Sequence, residues 1–157
     1  MSNRRREFTV EVAGADEASF LEVFDLLLEE HKEVACHSLD VQKAATACYS
    51  VLAQGMTFVA RDADGVAIGH LALKEVVSWY SQESALYDGW FYVRPEHRAG
   101  NVGVALMRAA RAVGQERNKL VFIMTANPHR RPKKTSMTLM AQMAGFIPVG
   151  YLIKIKG

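Results

Sequence analysis

Residues 84–125 constrain this chain most. SALYDGWFYV at 84–93 is rich in β-formers and reads as a strand, with Gly89 inside it hinting at a bulge or a close backbone approach. Residues 94–100 read as a turn. Residues 101–117 read as a helix, with Val102, Ala105, Leu106, Ala109, Ala110 and Val113 on one face. LVFIMT at 120–125 is a continuous apolar run, typical of a strand buried on both faces. A strand, a helix and a strand in that order imply a parallel pair joined by a crossover. The rest of the chain has to be fitted around that unit.

Upstream, residues 8–13 alternate as a strand. Phe20, Val23, Phe24, Leu27 and Leu28 recur at helical spacing behind Asp16, a candidate cap. A second helix opens at Asp40, carries Val41, Ala44, Ala45, Cys48 and Leu52 on one face, and ends near Gly55. Residues 56–61 and 66–77 form two strands around the turn Asp62-Ala63-Asp64-Gly65. Residues 135–144 read as a helix closed by Gly145, and 146–156 as a last strand. The predicted order is β-α-α-β-β-β-α-β-α-β. It gives one α/β (α+β) domain over residues 1–157, with a mixed, mostly antiparallel sheet flanked by helices.

Size and composition narrow the function. The chain has 157 residues, enough for one domain with a real core. Half the residues are hydrophobic and the net charge is only +2, which argues against nucleic acid as the main partner. Residues 1–7 carry charge with no apolar run behind them, so a secretory leader is not expected. No apolar run approaches the roughly 20 residues that span a bilayer. Cys36 and Cys48 form no CxxC pair, and a reducing cytoplasm fits them. His31, Cys36 and His37 lack a fourth ligand at suitable spacing, so no metal is expected. His70 reads as a hydrogen-bonded sheet residue.

The turn at 93–106 carries the chemistry. Small residues end at a helix start, where unpaired backbone N–H groups and the helix dipole bind anions, above all phosphate. Val93, Pro95, Arg98, Gly103, Ala105 and Leu106 stand in the register V-x-P-x-x-R-x-x-G-x-G/A-x-A-L. That register resembles the central motif of the GCN5-related N-acetyltransferases, and the element order over nearly the whole chain is similar to theirs.

The resemblance implies acetyl-coenzyme A as co-substrate. Its pyrophosphate would lie on the backbone of Arg98, Ala99, Gly100, Asn101, Val102, Gly103 and Val104. Its pantetheine arm would pair with Phe91, Tyr92 and Val93 in a gap between the fourth and fifth strands, like an added strand, with Asn127 beside it. Asn101 stands where the family has its first glycine. Asn tolerates a positive φ, and it can also cap a helix. Gly100 could share the strain.

An amine acceptor must lose a proton before it attacks. Asp88, acting through water, and Glu83 are the candidate bases, and Tyr87 is a candidate acid or substrate-wall residue. The family's usual acid is a Tyr four residues before a closing Gly-Phe. Gly145-Phe146 matches that ending, but the Tyr position is Ala141. Two functions therefore stand. The first is an N-acetyltransferase acting on a primary amine of a small molecule or protein. The second is a non-catalytic protein of this fold that binds a coenzyme A thioester or works through protein contacts. Family analogy also allows a homodimer.

Overall fold

A computed structural model describes residues 7–34, 38–123 and 136–147. Its elements run β1 (Phe8–Val12), α1 (Glu17–Val34), α2 (Val41–Leu52), β2 (Thr57–Asp62), β3 (Ala67–Val77), β4 (Ser84–Val93), a 3-10 turn (Pro95–His97), α3 (Val102–Glu116), β5 (Val121–Phe122) and α4 (Ser136–Met143). The expected order is present through α4. Residues 146 and 147 form no strand, and the rest of the expected last strand lies outside the described residues.

Local chemistry accounts for the boundaries. Asp16 accepts from the Ser19 amide at 2.9 Å and opens α1. Asp40 accepts from Lys43 at 3.0 Å and caps α2. Gly55 ends the second helical segment at φ 71°, and Gly65 turns the β2–β3 hairpin at φ 80°. Helix α1 runs further than its apolar pattern shows. Its last turns are Glu-Glu-His-Lys-Glu, good helix formers that find charged partners elsewhere.

The sheet order is β1-β2-β3-β4-β5. All neighbours are antiparallel except β4 and β5. That last ladder has only two pairs, Leu86↔Val121 and Tyr87↔Phe122. Ile123, the next described residue, carries no strand pairing. Within the expected run at 120–125, the described residues 120–123 are thus not buried on both faces. Leu120 is 70% exposed and Val121 to Ile123 are only half-buried, and among the described residues β5 is the last strand of the sheet.

Helices α3 and α4 cover one face over a core of Met56, Phe58, Leu71, Leu73, Leu86, Val102, Leu106 and Met107. Helices α1 and α2 cover the other over Phe20, Val23, Leu26, Cys48, Val51, Leu52 and Trp90. Gly114 lets α3 come down on β5, since a Cβ there would collide with the Val121 side chain. Met140 packs on the α3 face, whereas Met143 is exposed rather than core-filling. The Met137 and Leu139 side chains lie outside the described residues.

Candidate active site

The expected turn is a helix start left open. Asn101 occupies the N-cap position of α3 at φ −90°, ψ 11°, and its side chain makes no capping bond. Neither it nor Gly100 has a positive φ, so the motif's missing glycine costs no backbone strain here. The first bond into the helix is Ala105 N–H to Asn101 C=O, at 2.9 Å. The amides of Val102, Gly103 and Val104 precede it and have no carbonyl one turn back. Arg98 to Asn101 are exposed, while Val102 to Val104 are buried. An anion therefore has access along the loop side.

Two residues of the motif do work other than touching a ligand. The Arg98 guanidinium donates to the Val93 carbonyl at 2.7 Å, pairs in bidentate fashion with Glu33 of α1, and lies 5.3 Å from the centre of the Tyr92 ring. It fastens the turn to β4 and to α1. Gly103 makes room for α4, because a Cβ there would run into the Met140 thioether and approach Phe91 at 3.5 Å.

Beside the turn, β4 peels away from β5. The last pair is Tyr87↔Phe122, whose rings stack at 5.1 Å. Immediately afterwards the β3–β4 register shifts. Ala72 faces Trp90 and Leu73 faces Asp88, so Gly89 is the extra residue of a bulge. Beyond it, among the described residues, Trp90 to Val93 pair only with β3. Alternate backbone groups of that stretch point towards the side where β5 would be. Phe91, Tyr92 and Val93 lie on this edge, as expected. Asn127 and the basic loop of Arg130, Arg131, Lys133 and Lys134 lie outside the described residues.

The candidate bases separate. Glu83 sits in the β3–β4 loop, exposed, its carbonyl accepting from the Ser78 amide. Five residues of extended chain, about 16 Å, divide it from Asp88. Asp88 sits at the bulge, half-buried, within electrostatic reach of Glu30 on α1. Glu30 is a residue that sequence reasoning missed. It continues the buried stripe of Val23 and Leu26 towards the sheet. Burial, and next the charges of Asp88 and Glu33, push its carboxyl up to about 7, against the pull of Arg98. Its helical neighbours are neutralised: Glu29 by Arg94 at 2.8 Å, and Glu33 by Arg98. A signal was available in the sequence, since Glu30 is the one acidic residue at the i+7 position from Val23. Its significance depends on Asp88, which only the fold brings close.

Ala141 packs half-buried against the α3-side core and accepts from the Phe146 amide. Among the described residues no group of three or more His, Cys, Asp and Glu side chains is placed to hold a metal, and no helix is long and apolar enough to cross a membrane.

Comparison with known proteins agrees with this architecture. Over 96% of the chain the fold matches an aminoglycoside acetyltransferase, AAC(6')-Iy, solved with a bisubstrate analogue, CoA-S-monomethyl-acetylneamine. The TM-score is 0.70 at 16% identity, with 98% of that chain covered. It also matches AAC(6')-Ih, an aminoglycoside 6'-N-acetyltransferase from Acinetobacter baumannii, with TM-score 0.63, 13% identity, and 96% and 98% coverage of the two chains. A third match is an aminoglycoside acetyltransferase from an uncultured soil metagenomic sample, in complex with sisomicin. Its TM-score is 0.62 at 15% identity, with 95% and 97% coverage. No curated protein sequence matches the chain. Residues 20–132, well over half the chain, match the model of the Acetyltransferase (GNAT) family, and the chain belongs to that family.

Proposed function

We propose that the protein transfers an acetyl group from acetyl-coenzyme A to a primary amine that approaches as an ammonium ion. The observation that carries this reading is the uncapped start of α3 lying next to the part of β4 that, among the described residues, has no partner on its β5 side. One end suits a pyrophosphate, and the edge suits a ligand with amides of its own. The amides of Val102, Gly103 and Val104, together with the loop from Arg98 to Asn101, would hold the phosphates. The backbone of Phe91, Tyr92 and Val93 would hold the pantetheine arm, and the expectation for Asn127 beside it stands as part of the same proposal. Acetyl-coenzyme A supplies the activated thioester.

Glu30 and Asp88 would receive the acceptor. Two carboxylates that repel one another gain by taking a cation between them. An ammonium there draws Glu30 into its ionised form, and its proton leaves to solvent. Asp88, through water, then takes a proton from the ammonium and frees the lone pair for attack. The amine nitrogen bonds to the acetyl carbon, the carbon–sulfur bond breaks, the nitrogen gives up its second proton to solvent, and the thiolate takes one up. A thiol of pKa roughly 8 to 9 is a tolerable leaving group without an acid, which accommodates Ala141. The three proteins of similar fold named above are aminoglycoside acetyltransferases, and a small polyamine-like acceptor suits a two-carboxylate pocket.

The Ala141 position favours one competing reading, in which a coenzyme A thioester is bound and not turned over. Calorimetry with acetyl-coenzyme A and a thiol-release assay across an amine panel separate the two. Absence of binding at high micromolar ligand sinks both. Binding without thiol release for any amine supports the non-catalytic reading. In the active case Asp88→Asn slows turnover at unchanged acetyl-coenzyme A affinity, and a wild-type rate removes Asp88 from the chemistry.

A further inference from the structure

On the α1–α2 side of the sheet, three buried polar side chains have no hydrogen-bond partner among the described residues. They are Thr57 through Oγ1, His70 through both Nδ1 and Nε2, and Trp90 through Nε1. Thr57 and His70 are fully buried and Trp90 is 9% exposed. The register gathers them. Thr57 and Trp90 sit across Ala72 from either side, on β2 and β4. His70 is two positions along β3 from Ala72 and therefore on the same face. Its ring centre lies 5.9 Å from that of Trp90. Ala72, with only a methyl group, is the small residue between Thr57 and Trp90 in this row.

The groups cannot satisfy one another as they stand. Trp90 only donates. Burial pushes the His70 imidazole down to about 3, so at neutral pH it is uncharged, with one nitrogen donating and the other accepting. The Thr57 hydroxyl does both. Protein interiors very rarely leave four such atoms unpaired within one cluster. A water molecule accepts from a donor-only indole and donates to a bare imidazole nitrogen or a hydroxyl oxygen, so it supplies what the set lacks. Internal waters commonly make about three such bonds, and the four unpartnered atoms offer that many.

We propose that Thr57, His70 and Trp90 enclose an internal hydration site over Ala72, holding one or two ordered water molecules. The water fixes a single His70 tautomer and pins the Trp90 indole on the strand that leads to Phe91. This proposal does not depend on acetyl transfer.

A high-resolution crystal structure of the full chain tests it, together with nitrogen-15 chemical shifts of the His70 ring. The expected result is density within hydrogen-bonding distance of Trp90 Nε1 and of at least one further member, Thr57 Oγ1 or a His70 nitrogen. The ring should also show one neutral tautomer at pH 7. A dry space over Ala72 overturns the proposal. So does direct hydrogen bonding of the indole to a protein acceptor, or a His70 ring exchanging between tautomers.

Discussion

On the α3 side of the sheet, the buried side chains include Met56, Phe58, Ile68, Leu71, Leu73, Leu86 and Leu106, without a nitrogen or oxygen among them. On the α1–α2 side, the same strands present Thr57, His70, Trp90 and Tyr92 beside Ala67 and Ala72, with Glu30 entering from above. Strand alternation assigns every residue to one side or the other. A single sheet can therefore keep one dry face for cohesion and one face for polar groups. Stability alone selects against the second arrangement, since each buried polar group without a partner costs free energy. Departures from the rules of good packing gather where a protein does something besides fold.

The comparison breaks or sharpens under four substitutions, of decreasing effect. Leu106→Ala, in the middle of the dry face, should cost about 3 kcal/mol by urea unfolding. A cost below about 1 kcal/mol would mean that this face is loosely packed. Gly114→Ala forces a methyl against Val121 and to within 3.0 Å of the Lys119 carbonyl. It should cost about 2 kcal/mol. It should also speed hydrogen exchange at the Leu86 amide, which bonds to the Leu120 carbonyl beside β5. Unchanged exchange would show that α3 and β5 separate without disturbing β4.

Glu30→Gln tests the polar face, and its sign follows from proton binding. The folded chain holds the Glu30 proton up to about pH 7, whereas an ordinary glutamate loses it near 4.5. The stabilisation from that tighter binding is complete below 4.5 and is lost as pH rises through 7. Gln cannot ionise. The variant should match the wild type at pH 4 and exceed it at pH 8 by on the order of 1 kcal/mol, discounted for partial solvent contact. Equal stability at both pH values would place Glu30 in water. The smallest effect belongs to Asn101→Asp. A carboxylate at the open start of α3 should add about 0.5 kcal/mol of stability. It should also weaken acetyl-coenzyme A binding by repelling phosphate. Stability and affinity that rise together would remove the turn from ligand binding.

Much of the fold was legible because periodicity and punctuation agreed. Asp16, Asp40, Gly55, Gly65 and Gly145 all stand at element ends, each for a capping or left-handed-turn reason readable from residue type. The bulge was legible from Gly89 alone. Arg98, Gly103 and Glu30 were less so. For Arg98 only a backbone role was expected, and its guanidinium has one of its own, shared between Val93 and Glu33. Gly103 read as a concession to phosphate, and α4 presses on it. The place of Glu30 on the stripe of Val23 was readable from spacing, but its meaning depends on Asp88, 58 positions later in the chain. Such meanings come from contacts far apart in sequence, which local pattern does not encode.

The two arginines that bracket the 3-10 turn grip Glu29 and Glu33, which are one turn apart on the same edge of α1. Two fastenings on one rod remove a pivot that a single one would leave. The loop ahead of α3 and the last turns of α1 are therefore joined at two points, and Glu30 lies in sequence between the two clamped glutamates.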